Sequence, residues 1–363
     1  MMRNFLNTDA PFLPSENTKE KAIEFDKISV QDFAECIADF ISECATPITI
    51  GLQGDWGTGK TSLMNMIKCY LSNSRRTGDR FFKIDINTWH YSIFHQDEYL
   101  GIVIIKSLLD ELTKIFAERR SGLSARINAL STSMSSGLRK AARVGRTIEW
   151  GIPFVGGLTI NDAQQALQED SEIRIENLAD VLLKFKKEFT DIIQEHIVKR
   201  GKRIFFFIDD LDRIRPIKAV EVLETLKNFM DVEGCVFVLA VDYQIVQLGI
   251  KEKFGEDIQR TSGKSFFDKI IQLPFAMPTS SYDIENYIKA LLGNREGGGS
   301  GFYPYDWEIN KQHADLFVEI SEVTVGRNPR SIKRAVNYAI LLNKIRVKNT
   351  RVQNENATGA RTR

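Results

Sequence analysis

The chain has 363 residues, 43% of them hydrophobic, a net charge of +1 and four cysteines. The length exceeds that of one ordinary domain, and the hydrophobic content excludes wholesale disorder. Near-neutrality excludes a chain that is polybasic throughout. The scattered Cys36, Cys44, Cys69 and Cys235 form no CxxC pair, which excludes a disulfide scaffold or cysteine zinc site and reads as reduced, buried thiols of a cytoplasmic protein.

Residues 1–20 read as an extended lead-in without the apolar core of a signal peptide. Val30, Phe33, Ala34, Ile37, Phe40 and Ile41 recur at helical spacing and predict an amphipathic helix over 29–44. Ile48–Leu52 is a short buried strand, followed by a glycine loop and a helix over Thr61–Leu71. Residues 81–89 read as a second strand and Tyr99–Phe116 as a long helix.

The stretch 119–176 differs in character. Seven Lys or Arg and no acid lie between Arg119 and Thr147; six acids and one Arg lie between Ile148 and Glu176. The apolar stretch between these halves, TIEWGIPFVGGLTI, holds Glu149 and three glycines and falls short of the roughly 18 apolar residues that span a bilayer. The region reads as a helical or mobile insertion. Its basic half is a solvated face, a contact for anionic lipid or nucleic acid, or a partner for the acidic half.

Ile175–Val198 predicts another amphipathic helix, RIFFFIDDLDR (203–213) an apolar strand ending in acids, Ala219–Met230 a helix and CVFVLAVD (235–242) a buried strand. A short apolar run occupies Phe266–Leu273, punctuated by Pro274 and Pro278. Fully apolar strands alternating with helices imply an α/β fold with a parallel sheet covered by helices. The nucleotide-type core comprises 21–118 and 177–278. Three helical stretches over 279–345 form a helical subdomain, interrupted by the glycine-rich loop 294–301. The tail 346–363 lacks apolar periodicity and reads as disordered; residues 343–363 carry a charge of +5.

Gly54-Asp55-Trp56-Gly57-Thr58-Gly59-Lys60-Thr61 fits G-x-x-x-x-G-K-S/T, with the strand before and the helix after that this pattern requires. Glycines allow the positive φ and close approach that point successive N–H groups inward at a polyphosphate. The helix that follows offers unsatisfied N–H groups and a positive dipole end. On this reading Gly54 to Thr61, with Ser62, cradle the phosphates, Lys60 reaches the β- and γ-phosphates and Thr61 ligates Mg²⁺. The bland alternative is a glycine turn before a helix.

Far downstream, Phe205-Phe206-Phe207-Ile208 runs into Asp209 and Asp210. Adjacent carboxylates at the end of a buried strand call for a nearby cation, because unpaired buried acids are costly. Asp209 fits the Mg²⁺-holding position by way of water, and Asp210 the general base toward an attacking water. A small-molecule kinase needs no such second acid, so the pair favours hydrolysis. The alternative is a solvated strand end.

GDWGTGKTS together with IDDLDR resembles the KAP family of P-loop NTPases, a group related to the STAND and AAA proteins. The resemblance extends over about residues 10–345. IDINTWHYS (84–92) is similar to the family's strand after the loop. VLAVDYQIV (238–246) is similar to the next core strand, with Asp242 at the sensor position. FFDKIIQLPFAMP (266–278) resembles the following strand, with Lys269 before its apolar run. GRNPRSIKRAVN (326–337) resembles the C-terminal helix that carries a sensor arginine. The resemblance implies ATP rather than GTP, a catalytic set of Lys60, Asp210, Asp242 and Arg330, and a homo-oligomer or unknown effector as partner. Many members carry transmembrane helices between the two motifs; here that slot is 119–176, and a soluble member with at most peripheral membrane contact is expected. No effector domain is recognisable, so a truncated form of a longer chain stays open.

The remaining candidates each have two readings. Asp242 hydrogen-bonds the attacking water or caps a helix. Arg330 and Arg334, four apart on one helical face, read the γ-phosphate or form a solvated basic surface. Arg213 holds Asp210 or Asp212 in an ion pair or acts toward a neighbouring subunit, and Arg260 is a weaker cross-subunit candidate. Trp89 reads as core and Trp56 as a cover for the loop. His90, His95, His196 and His313 lack ligand spacing, so Mg²⁺ is the only metal implied. Two functions remain: an ATPase acting as a conformational or assembly switch in prokaryotic regulation or phage defence, or a nucleotide-gated scaffold binding an anionic membrane or nucleic acid.

Overall fold

Runs of β-branched and aromatic residues with no polar alternation form strands that are buried on both faces. The structure, a computed structural model, describes residues 26–73, 81–92, 100–117, 178–255, 266–291 and 311–359. β3 and β4 are of this kind, and five strands in all form one parallel sheet: β1 (Ile48–Gln53), β2 (Phe81–Asn87), β3 (Arg203–Asp209), β4 (Cys235–Val241) and β5 (Leu273–Ala276), in the order β2-β3-β4-β1-β5. Register pairs Gln53 with Val241 and Asn87 with Asp209, so the strand ends that matter lie along one carboxyl edge. This is the α/β P-loop fold expected from the sequence.

The helices among the described residues are α1 (Gln31–Glu43), α2 (Lys60–Asn73), the short α3 (Thr88–Ser92), α4 (Leu100–Ala117), α5 (Leu178–His196), α6 (Pro216–Lys227), α7 (Tyr243–Phe254), α8 (Ile284–Leu291), α9 (Lys311–Thr324) and α10 (Pro329–Gly359). They fall, with the strands, into two compact units. The first takes the described parts of Met1–Ala38, Asp55–Asn73 and Met277–Arg363; the second takes Asp39–Gly54 and those of Ser74–Ala276, including the whole sheet.

The core of the second unit lies on one face of the sheet. Ile84, Ile86, Ile204, Phe206, Ile208, Phe237 and Leu239 alternate toward Leu108 and Leu112 of α4, Phe189 and Ile193 of α5 and Leu223 of α6. Phe206 stacks on Phe237 with ring centroids 4.7 Å apart. The opposite residues Phe205, Phe207, Val236 and Val238 are buried as well.

Several expectations are corrected. The strand expected within 266–278 is present but confined to its end: residues 266–270 are helical and β5 is Leu273–Ala276. β5 contains Pro274, which is tolerated because β5 is an edge strand with one side free of ladder bonds. The tail expected to be disordered from 346 is helical to Gly359, since α10 continues through it. That stretch has no proline or interior glycine, and extending an established helix needs no new nucleus. Cys69 and Cys235 are buried as expected, but Cys36 is exposed. The expectations for 1–20, the insertion 119–176, the loop 294–301 and Arg260 lie outside the described residues. Among the described residues no helix is long and apolar enough to cross a membrane.

Candidate functional site

The chain leaves the sheet at Gly54, whose N–H donates to Val241 O at 3.3 Å. The loop that follows belongs to the first unit and closes on one carbonyl. Asp55 O accepts from Thr58 N–H at 3.3 Å, from Thr58 Oγ1 at 2.8 Å and from Lys60 Nζ at 3.2 Å. Lys60 is only 6% exposed, so its ammonium is folded into the loop. Gly57 and Gly59 hold φ of 90° and 99°, a region costly to any residue with a Cβ. A buried ammonium beside a loop bent in this way fits a polyphosphate, as does the first turn of α2, which holds Thr61 and Ser62.

The same loop is held by the C-terminal part of its own unit. Asn328 Nδ2 donates to Trp56 O at 3.0 Å, the Arg330 N–H to Gly57 O at 3.3 Å and Tyr282 Oη to Thr58 O at 2.7 Å. Tyr282 is buried, and burial pushes its phenol up, so it stays a hydrogen-bond donor. Asn328 also caps α10, its Oδ1 accepting from the N–H groups of Arg330 and Ser331 at 3.1 and 3.2 Å. Arg327 ties the two segments together, donating to Thr279 O at 3.1 Å and Tyr282 O at 2.5 Å. A Cβ on Gly57 would lie 2.7 Å from Arg330 Cβ and 2.8 Å from Asn328 Oδ1.

The acids form a second constellation, within the second unit. Asp210 sits in the left-handed region at φ 61°, ψ 26°, which turns its carboxylate back toward the strand ends. It is buried, and both of its oxygens are engaged: Oδ2 accepts from Asn87 Nδ2 at 2.7 Å and Oδ1 pairs with Arg213 Nε at 2.7 Å. The Asp210 N–H donates to Asp209 Oδ1 at 2.8 Å, and Thr88 Oγ1 donates to Asp209 O at 3.0 Å. The Arg213 guanidinium lies 5.2 Å above the Trp89 ring. Of its two readings, Arg213 takes the ion pair with Asp210.

Other candidates resolve individually. Asp242 caps α7, its Oδ1 accepting from the Gln244 N–H at 2.9 Å, which is the structural one of its two readings. Arg330 and Arg334 lie over the Trp56 ring, at 4.2 and 5.3 Å from its centroid. Trp56 is 51% exposed apart from that cover. Trp89, expected in the core, is 38% exposed, because α3 carries it past the end of β2 rather than along the strand.

Asn87, Tyr282 and Asn328 were not singled out by the sequence. Asn328 before Pro329 is a legible helix start, an N-cap followed by proline at the first position. Asn87 carries a similar cap signal before α3. Tyr282 has no local signal, since its partner is 224 residues away.

The Phage T7 exclusion protein of Escherichia coli (strain K12) is 22% identical to this chain over 303 residues, which is 81% of the chain and 38% of that protein. The chain thus matches well under half the length of that relative. The KAP family P-loop domain matches residues 30–344. A match running from the helix before the glycine loop into the last helix makes this chain a member of the KAP family of P-loop domains.

Proposed function

We propose that the chain binds and hydrolyses ATP with Mg²⁺ and uses the cycle as a conformational or assembly switch, in a role related to phage exclusion. One observation carries the enzymatic part: the buried Lys60 ammonium, turned onto Asp55 O inside a loop bent at Gly57 and Gly59. A cation held in place beforehand stabilises developing phosphate charge without reorganising during the reaction. Lys60 would meet the β- and γ-phosphates, and Thr61, with Asp209 through water, would hold Mg²⁺. When bound, the metal would supply neutralisation of phosphate charge.

Asp210 would take the proton of the attacking water. Its oxygens each accept one hydrogen bond, which leaves lone pairs for that water. Asn87 and Arg213 fix the direction in which the carboxylate faces. The phage-exclusion role rests on the name of the Escherichia coli relative. A nucleotide-dependent homo-oligomer or a protein effector would supply the output.

The test is Mg²⁺-dependent ATP hydrolysis by size-fractionated wild type, Lys60→Ala and Asp210→Asn. Lys60→Ala should lose ATP binding and turnover; turnover at the wild-type rate sinks the phosphate-loop assignment. Asp210→Asn should still bind ATP while turnover falls about 100-fold or more, the ordinary contribution of a general base. Equal loss of binding in Asp210→Asn would mean that the two acids are assigned wrongly. A particle size that changes with ATP supports assembly as the output.

A further inference from the structure

Three consecutive carbonyls of the phosphate loop, those of Trp56, Gly57 and Thr58, are each held by a donor from 282–330: Asn328 Nδ2, the Arg330 N–H and Tyr282 Oη. In a planar trans peptide the C=O and the next residue's N–H point in opposite directions. Fixing these three carbonyls therefore fixes the directions of the Gly57, Thr58 and Gly59 N–H groups. The Thr58 N–H shows which side that is. It points at Asp55 O, the atom on which Lys60 Nζ also converges, so it faces the concave interior of the loop.

We infer that Asn328 and Tyr282 are positioning residues for nucleotide binding. They draw the loop carbonyls outward and hold the loop N–H groups ready for phosphate oxygens. The inference rests on the reading of this loop as a phosphate site. Neither residue touches the ligand; each acts through the loop backbone. Two features make the device specific. The Tyr282 phenol is buried with Thr58 O as its acceptor, so its loss strands a carbonyl. Asn328 does two separable jobs: its Oδ1 caps α10 and its Nδ2 holds Trp56 O. Arg327, next to Asn328 in the chain, links the two segments by donating to Thr279 O and Tyr282 O. Arg330 and Asn328 pack closely on Gly57, where an added Cβ would lie 2.7 and 2.8 Å from them.

Serine caps a helix about as well as asparagine does and stays neutral, but its shorter side chain has no amide N–H to reach Trp56 O. Asn328→Ser therefore keeps the cap, adds no charge beside the loop and removes the hold on Trp56 O. Tyr282→Phe removes only the hydroxyl. The full chain and these two variants are titrated calorimetrically with ATP and with tripolyphosphate, which has no base or sugar. The titrations are run at a temperature where circular dichroism shows every protein folded. Each variant should bind both ligands about tenfold more weakly, the loss expected for one hydrogen bond. The loss should be equal for the two ligands, because it arises at the phosphate cradle. A role confined to stability would leave the affinities of the folded variants at the wild-type value, and that result overturns the inference while the phosphate-loop reading stands. A loss for ATP alone likewise overturns it. A folded wild type that binds neither ligand overturns the phosphate-loop reading and this inference with it. Should Tyr282→Phe fail to fold, Asn328→Ser decides alone.

Discussion

Asn87 and Asn328 use their side chains in the same way at two unrelated places. Each sits just before a helix, gives its Oδ1 to N–H groups of the first turn and turns its Nδ2 onto a candidate site group: Asp210 for one, Trp56 O for the other. A side-chain amide can do this because it carries an acceptor oxygen and a donor NH2 that point in different directions within one plane. Gly57 is the residue against which the second of these is packed. Gly57→Ala would force a Cβ into the left-handed region and against Arg330 and Asn328. Strain and overpacking together should cost about 2 kcal/mol or more. Urea unfolding measures it, and an unchanged midpoint refutes the close approach. The capping role of Asn328 was legible in Asn-Pro; its second hydrogen bond was not, because nothing near position 328 points to position 56. Trp89 misled for a related reason. An aromatic residue after an apolar run reads as core, but the run ends at Asn87 and α3 turns the ring outward.

Among the elements, those legible in the sequence were stabilised by their own composition. Ile48–Leu52, Phe205–Ile208 and Cys235–Val241 are continuous apolar runs and became central strands. β5 fell within the expected stretch 266–278, but its bounds were not legible, because the preceding residues, with two phenylalanines and two isoleucines, look more strand-like than a segment containing Pro274. Pairing with β1 decided the matter, and pairing is invisible to a local reading. Helix packing is equally non-local. Gly249 in α7 has no room for a side chain, since a Cβ there would lie 2.0 Å from Pro216 O at the start of α6. Gly249→Ala should therefore destabilise the protein by about 3 kcal/mol, whereas Leu248→Ala next to it, at an exposed position, should cost well under 1 kcal/mol. Equal urea midpoints for the two variants would show that the helices are not packed this closely.

In the molecule as a whole, the sheet order decides which strand ends are neighbours. All five strands are parallel, and the strand that feeds the phosphate loop is separated from the strand carrying the acids by β4 alone. Two strand spacings amount to about 10 Å at the carboxyl edge, where open parallel sheets bind ligands. The strands were legible one by one; their order was not, because strand order is set by crossovers between distant segments. Binding to the native state should raise its stability by about 2.7 kcal/mol at an ATP concentration 100 times the dissociation constant. Thermal melting of wild type should show this upward shift and Lys60→Ala should lack it; equal shifts would place the bound nucleotide elsewhere.

The last helix has a mechanical consequence. Its 31 residues begin directly after the asparagine that grips the loop. At about 1.5 Å per residue it is a rod of roughly 46 Å. A tilt of about 10° at its first turn sweeps the far end through roughly 8 Å for a straight rod of that length. A displacement too small to register at a hydrogen bond becomes, at the other end of α10, a stroke wider than a side chain.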